Sequence, residues 1–270
     1  MPPNDIASAL YLGHFTGRRV AVTGAAGGIG HAIARGFAES GASVFLLDRD
    51  EHVMESAAEL SGAGFEAHGV QADVTDESQM VSAFATIDRT WGSLDTLVNN
   101  AGIITINDLE NTSVADFKRV LDVNTTAMFL ATREAAPLLR AAGGGSVLNA
   151  ASGQARQGFI YTPGYAASKF GVMGLTQSLA KELAKDNIRV NAYCPGIVRT
   201  EMWEYNDREW GSRLGDYKPG ELIDEWIANI PLGRAASHSD VANLLLFLAS
   251  DAATYITGQA INIDGGMFMN

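Results

Sequence analysis

The sequence predicts an α/β fold: a single doubly wound Rossmann-type domain spanning 1–270. Three observations carry this. Short apolar runs alternate with helical patterns along most of the chain, and a glycine-rich turn joins the first run to the first helix. No internal repeat or linker divides the 270 residues, a length that can bury one large core.

The runs 19–23, 43–47, 66–71, 96–99, 146–150, 189–193 and 260–263 read as strands. Most are rich in Val, Ile and Leu, as strands covered on both faces are. Between them, 28–40, 50–62, 77–91, 114–140, 165–185 and 239–249 read as helices. Gly41 and Gly62 suit the ends of the first two, where a left-handed conformation is cheap for glycine. Asp76, Ser113 and Ser239 suit the N-caps of later ones. Such βαβ alternation predicts a parallel sheet with right-handed crossovers. Residues 1–15 read as an N-terminal extension. The stretch 200–238 breaks the rhythm with three tryptophans (203, 210, 226) and glycines at 211, 215 and 220. Following a strand's carboxyl end, it reads as a substrate-covering insertion; the alternative is a helical pair that only packs.

Composition narrows the classes. With 47% hydrophobic and 19% charged residues, the chain is globular rather than disordered. No apolar run approaches the roughly 18 residues of a membrane span. The first sixteen residues, without Lys or Arg, do not resemble a signal peptide. A net charge of −12 and a pI near 4.8 oppose nucleic acid and anionic membranes as partners. The lone Cys194 excludes an internal disulfide, fits a reducing cytoplasm, and reads as a small buried hydrophobe. The five histidines lie far apart, so no metal site is expected and zinc-type alcohol chemistry is disfavoured.

The chemistry is concentrated in two places. In the turn Thr23-Gly24-Ala25-Ala26-Gly27-Gly28-Ile29-Gly30, glycines let the backbone approach a pyrophosphate at a helix N-terminus. Asp48, ending the second strand, suits adenosine ribose hydroxyls and repels a 2′-phosphate, which favours NAD over NADP despite the neighbouring Arg49. Asp73 and Val74 follow the third strand, where an adenine edge belongs, and Asn99-Asn100-Ala101-Gly102 follows the fourth. The second place is Tyr165-Ala166-Ala167-Ser168-Lys169. On a helix, the i, i+4 spacing puts phenol and ammonium on one face. A cation there lowers a tyrosine pKa that is ordinarily about 10. Tyr165 then serves as a proton carrier near neutral pH, with Ser152 hydrogen-bonding the substrate oxygen.

From about Thr16 to Gly266 the chain resembles the short-chain dehydrogenase/reductase family. The resemblance is carried by TGAAGGIG at 23–30, DV at 73–74, NNAG at 99–102, Asn124, Ser152, YAASK at 165–169, PGIVRT at 195–200 and the closing TGQ…DGG. It implies a seven-stranded sheet and usually a homotetramer built through the fifth and sixth helices. It also implies a catalytic set of Asn124, Ser152, Tyr165 and Lys169. Tyr165 exchanges the substrate proton, Lys169 lowers its pKa and holds the nicotinamide ribose, and Asn124 seats a proton-relay water through its backbone. Gly24, Gly28, Ile29, Gly30, Asp48, Asp73, Val74, Asn100, Ala101, Gly102, Tyr165, Lys169, Pro195, Gly196, Ile197 and Thr200 form the expected cofactor site. Of these, Ile197 and Thr200 are the pair that grips the carboxamide.

The segment around PGIVRTEMW is similar to relatives acting on acetoin, 2,3-butanediol, sorbitol or galactitol. That implies a small alcohol or ketone: a polyol, vicinal diol or hydroxyketone. Gly153 stands after the catalytic serine where the acetoin enzymes place glutamine, which moves the expectation toward a polyol. Expected substrate contacts are Ser152, Gln154, Arg156, Tyr161, Tyr165 and Trp203. Asn270 is compatible with the magnesium ion that some polyol relatives hold near the C-terminal carboxylate. The rivals are a 3-oxoacyl thioester reductase, disfavoured by Asp48 and the acidic charge, and a catalytically silent dinucleotide-binding regulator. A glycine-rich methyltransferase offers no reason for the Tyr-Lys spacing.

Overall fold

The computed structural model describes residues 11–269, so Asn270 and most of the N-terminal extension lie outside the described residues. Seven parallel strands run in the order β3-β2-β1-β4-β5-β6-β7. They are β1 (Arg19–Thr23), β2 (Ser43–Asp48), β3 (Ala67–Gln71), β4 (Thr96–Asn99), β5 (Gly145–Ala150), β6 (Ile188–Pro195) and β7 (Ala260–Ile263). The helices are α1 (Gly28–Glu39), α2 (Val53–Gly62), α3 (Glu77–Trp91), α4 (Val114–Leu121), α5 (Ala127–Ala141), α6 (Pro163–Leu183), α7 (Glu201–Leu214), α8 (Glu221–Ala228) and α9 (His238–Ala249).

Strand alternation decides which helix packs where, because successive side chains leave opposite faces of a sheet. Val20, Val22, Val44 and Leu46 share one core with Ile33 and Phe37 of α1 and Val241 and Leu245 of α9. Ala21, Phe45 and Leu47 share the other with Met80, Phe84 and Ile87 of α3 and Leu130 and Leu138 of α5. Each fully buried side chain of this size contributes about 1.5–3 kcal/mol. Part of the expected extension belongs to the first core: Phe15 is buried and meets Phe37 edge-on at 5.1 Å.

Local signals mostly land where expected. The Asp76 carboxylate accepts from the Ser78 and Gln79 amides at 2.9 and 3.1 Å, and the Ser113 hydroxyl from Asp116 at 3.0 Å. Ser239, however, is not the last cap. Ser237 caps α9 in a reciprocal box with Asp240, whose carboxylate returns to the Ser237 amide at 2.7 Å. Gly41 has φ +101, but Gly62 is the last residue of α2 and the left-handed position is Gly64 at φ +94. The expected single helix 114–140 is interrupted by a π turn, Asp122–Thr126.

The insertion forms α7 and α8. Gly220 cannot cap α8 with a side chain, and the buried carboxylate of Asp207 on α7 takes over. It accepts from Gly220 and Ile223 amides at 2.6 and 2.9 Å, which locks the helix pair together. Among the described residues, no helix is long and apolar enough to cross a membrane.

Candidate active site

Strand order reverses between β1 and β4, and the space beyond their carboxyl ends is the binding crevice of such sheets. A groove there is lined by Gly24, Gly28, Ile29, Gly30, Asp48, Asp73, Val74, Asn100, Ala101, Gly102 and Thr200, as the sequence reading expects. A Cβ at Gly30 would collide with the Gly24 carbonyl, and Gly24 (φ +65) and Gly28 (φ +55) are left-handed, so only glycine keeps this passage open. Each oxygen of Asp48 accepts one amide, Ala26 at 3.1 Å and Asp50 at 3.0 Å, leaving lone pairs toward the groove. The Thr200 hydroxyl does not cap α7, although Thr200 occupies the N-cap position. His238, which the sequence reading missed, also lines the groove, and its buried Nε2 has no partner among the described residues.

The Ile197 side chain is buried against Ile223 and Ile230, behind the lining. Pro195 and Gly196 line an adjoining cleft of about 420 Å³. Groove and cleft share Ile29, Asn100, Gly102, Thr200 and Met202 as lining, so a ligand of one reaches the other.

Ser152, Tyr165 and Lys169 meet in this cleft. Ser152 ends the β5 segment, and its oxygen accepts from the Gln154 amide at 3.1 Å, which fixes the rotamer. Tyr165 and Lys169 lie on the first turns of α6, and the ammonium sits 5.4 Å from the phenol ring centroid. Lys169 is 3% exposed and donates to the Ala150 carbonyl at 2.7 Å, leaving two of its three donors free. Burial depresses it to about 8. The spacing argument expects Lys169 to pull the phenol down. Instead burial pushes Tyr165 up, and the Ser152 hydroxyl beside it is what pulls it down.

Asn124 lies in the π turn, fully buried. Its amide accepts from Ile103 at 2.8 Å and donates to the Ile103 carbonyl at 2.9 Å and to Ser168 at 3.0 Å. The side chain is therefore spent on holding the Gly102–Ile103 turn to α6. Only its backbone, in a turn type common at functional sites, is left for other partners.

The expected substrate contacts divide. Gln154 lines the cleft, with its Oε1 held by Thr162 at 2.8 Å and its Nε2 free of protein partners among the described residues; Trp203 lines it as well. Arg156 does not. Its guanidinium turns to β7, donating to Asn262 at 3.0 Å and to the Ala260 carbonyl. Tyr161, at φ +66, packs beneath with Ile104, Ile106 and Trp210. Phe159, Asn206, Trp210, Trp226 and Phe268 also line the cleft and were not anticipated as contacts. Gly153 now has a reason: a Cβ there would drive into the Phe268 ring.

A family model described as enoyl-(acyl carrier protein) reductase matches residues 24–268. The chain is 40% identical over 247 residues to a 3α-hydroxysteroid dehydrogenase of Mediterraneibacter gnavus, covering 90% of this chain and 94% of that one. It is 40% identical over 253 residues to the L-2,3-butanediol dehydrogenase of Corynebacterium glutamicum, covering 92% and 98%. The crystal structure of L-sorbose reductase from Gluconobacter frateurii, complexed with NADPH and L-sorbose, matches with a TM-score of 0.88 at 32% identity, covering 95% and 98%.

Burial of Lys169 has a measurable consequence. Between pH about 8 and 10.5 the unfolded chain binds more protons at this residue than the folded one, so its contribution to stability rises with pH across that window. Lys169→Met is expected to remove the rise. Urea unfolding of both proteins at the two ends of the window checks this, and an identical pH dependence overturns it.

Proposed function

Because the chain belongs to the short-chain dehydrogenase/reductase family, we propose that it moves a hydride between NAD and a secondary alcohol borne on a largely apolar body. The coarser part stands on the family: it is an oxidoreductase acting on CH–OH groups with a nicotinamide dinucleotide.

When bound, the nicotinamide accepts or returns the hydride. In the oxidative direction Tyr165 takes the hydroxyl proton, and the Ser152 hydroxyl donates to the substrate oxygen as charge develops on it. Lys169 keeps two donors for ribose hydroxyls, and the Ser152 hydroxyl favours the phenolate against the burial that opposes it. The Asn124 backbone seats the water that carries the proton onward. NAD is supported by the Asp48 carboxylate at the ribose end of the groove, although the sorbose reductase relative holds NADPH. The exposed Arg49 beside it is the residue that would favour a 2′-phosphate.

The observation that carries the substrate reading is the cleft wall. Trp203, Trp210, Trp226 and Phe159 pack ring to ring at centroid distances of 5.2–6.4 Å. Each hydroxyl buried there without a partner costs about 1–3 kcal/mol, which weighs against a polyol. The free Nε2 of Gln154 favours a second reading, a vicinal diol or hydroxyketone whose neighbouring oxygen it holds. The homotetramer expectation is supported by half-exposed Phe129 and Phe170 on α5 and α6, and a solution mass below four chains overturns it.

NADH formation is expected with ring-bearing secondary alcohols more strongly than with butanediol isomers or sugar alcohols, and with NAD more strongly than NADP. Asp48→Ala should narrow the cofactor preference by removing the repelling carboxylate. Higher turnover on sugar alcohols overturns the substrate reading, and an unmoved cofactor ratio overturns the role of Asp48. Tyr165→Phe is expected to bind NADH normally and to lose about 10²–10⁴-fold in kcat; a near-normal rate removes Tyr165 from the chemistry.

A further inference from the structure

Buried polar side chains are nearly always hydrogen-bonded. Asn206 is an exception inside the cleft. It is 3% exposed, its Oδ1 is buried without a partner, and its amide makes no hydrogen bond among the described residues. Neighbouring polar groups are satisfied: Asp207 by two backbone amides, and the Trp210 indole by the Ile160 carbonyl at 3.0 Å. Local disorder of the polar network therefore does not account for it.

Trp203, Asn206 and Trp210 fall at i, i+3 and i+7 of α7, which puts them on one helix face, and all three line the cleft. The amide thus sits within an aromatic wall that Trp226 and Phe159 complete. Asn206 stands on α7 among the tryptophans, whereas Ser152 and Tyr165 come from the turn after β5 and from α6, so the amide serves the part of a ligand that lies against α7.

We propose that Asn206 is a specificity-determining residue that binds a second, remote hydroxyl on a substrate whose ring body stacks among Trp203, Trp210, Trp226 and Phe159. An amide offers one acceptor and donors together, and a hydroxyl both donates and accepts, so one hydroxyl satisfies it. A carboxylate does not fit: Lys169 is the one charged residue lining the cleft among the described residues, and an unpaired ion would be buried at high cost. A bare hydrocarbon leaves the amide unpaired. The proposal rests on the apolar-body reading above and adds the residue that reads the body's remote end.

The test uses a matched pair: a fused bicyclic secondary alcohol with and without a second hydroxyl on its remote ring. Binding to the NADH-loaded protein is followed through tryptophan fluorescence, which the cage supplies, and turnover is measured alongside. Wild type is expected to prefer the diol about tenfold or more. In Asn206→Leu that ratio should fall to near one while the melting temperature does not drop, because an unpaired amide has gone; Asn206→Ala serves if the leucine variant misfolds. A merely structural Asn206 would leave the ratio unchanged. Equal binding of both compounds by wild type, with turnover, overturns the role of Asn206 and leaves the apolar-body reading standing. No binding of either compound, with sugar alcohols turned over, overturns both.

Discussion

Two strand ends touch at the switch point, and the site depends on that contact. The Thr23 hydroxyl accepts the amides of Asn100 and Ala101 at 3.1 and 3.2 Å, and the Asn100 side chain donates back to the Gly24 carbonyl at 3.0 Å. A Cβ on Gly24 would lie 2.7 Å from the Ala101 Cα, so the approach requires glycine. The contact holds β1 and β4 together while the chain beyond each diverges, and the groove is the space between. Tyr193 extends the tie to β6 by donating to Asn100 at 3.1 Å. One strand behind, Asn99 donates to Asn149 at 2.8 Å and Asn149 to Thr176 at 3.0 Å, binding β4, β5 and α6. Ser152 follows β5 and Tyr165 begins α6, so both reacting side chains hang from this buried polar ladder.

The cost of such a ladder is the risk of an unmet polar group, and the chemistry end meets nearly all of them. Asn124 is saturated, Lys169 has its carbonyl, and Ser152 is fixed by its own loop. The titratable pair pays a different cost. Burial pushes the Lys169 ammonium toward losing its proton and the Tyr165 phenol toward keeping one. Both are thereby drawn toward their neutral forms. Preorganisation here means few free rotors around the reacting oxygen, which is what makes a small number of donors effective.

Much of this was legible from local pattern. Strand hydrophobicity, the glycine turn, and Tyr165 with Lys169 at one helical turn are short-range signals, and every expected element but the divided helix 114–140 formed within a few residues of its bounds. The misses have two causes, a tertiary contact far along the chain in one case and local backbone geometry in the others. Arg156 sits four residues past Ser152, yet it is claimed by Asn262 and Ala260 on β7. Tyr161 is turned under the cleft by a left-handed backbone. The π turn at Asn124 leaves no mark in composition, and Ser237 outcompeted Ser239 because only Ser237 stands three residues before Asp240. The tryptophans of 200–238 were visible as an oddity. Their shared face on α7 was not, until the helix bounds were known.

Rigidity and substrate choice are therefore carried by different parts of the chain. Ser152 follows β5, and Tyr165 and Lys169 sit on α6, elements fixed by the sheet and by buried amides. The cleft's other wall comes from α7 and α8, held as a unit by Asp207, and from the tail that places Phe268 over Gly153. Among the described residues, the side-chain hydrogen bonds of Ser152 and Lys169 run to Gln154 and Ala150 and not to those walls. Relatives of equal identity, 40% in each case, carry names as different as hydroxysteroid and butanediol dehydrogenase, so overall identity does not report the alcohol. In this chain the side chains that α7, α8 and the tail bring to the cleft are mostly large and apolar, and among the described residues the Asn206 amide oxygen is the buried polar atom left unpaired there.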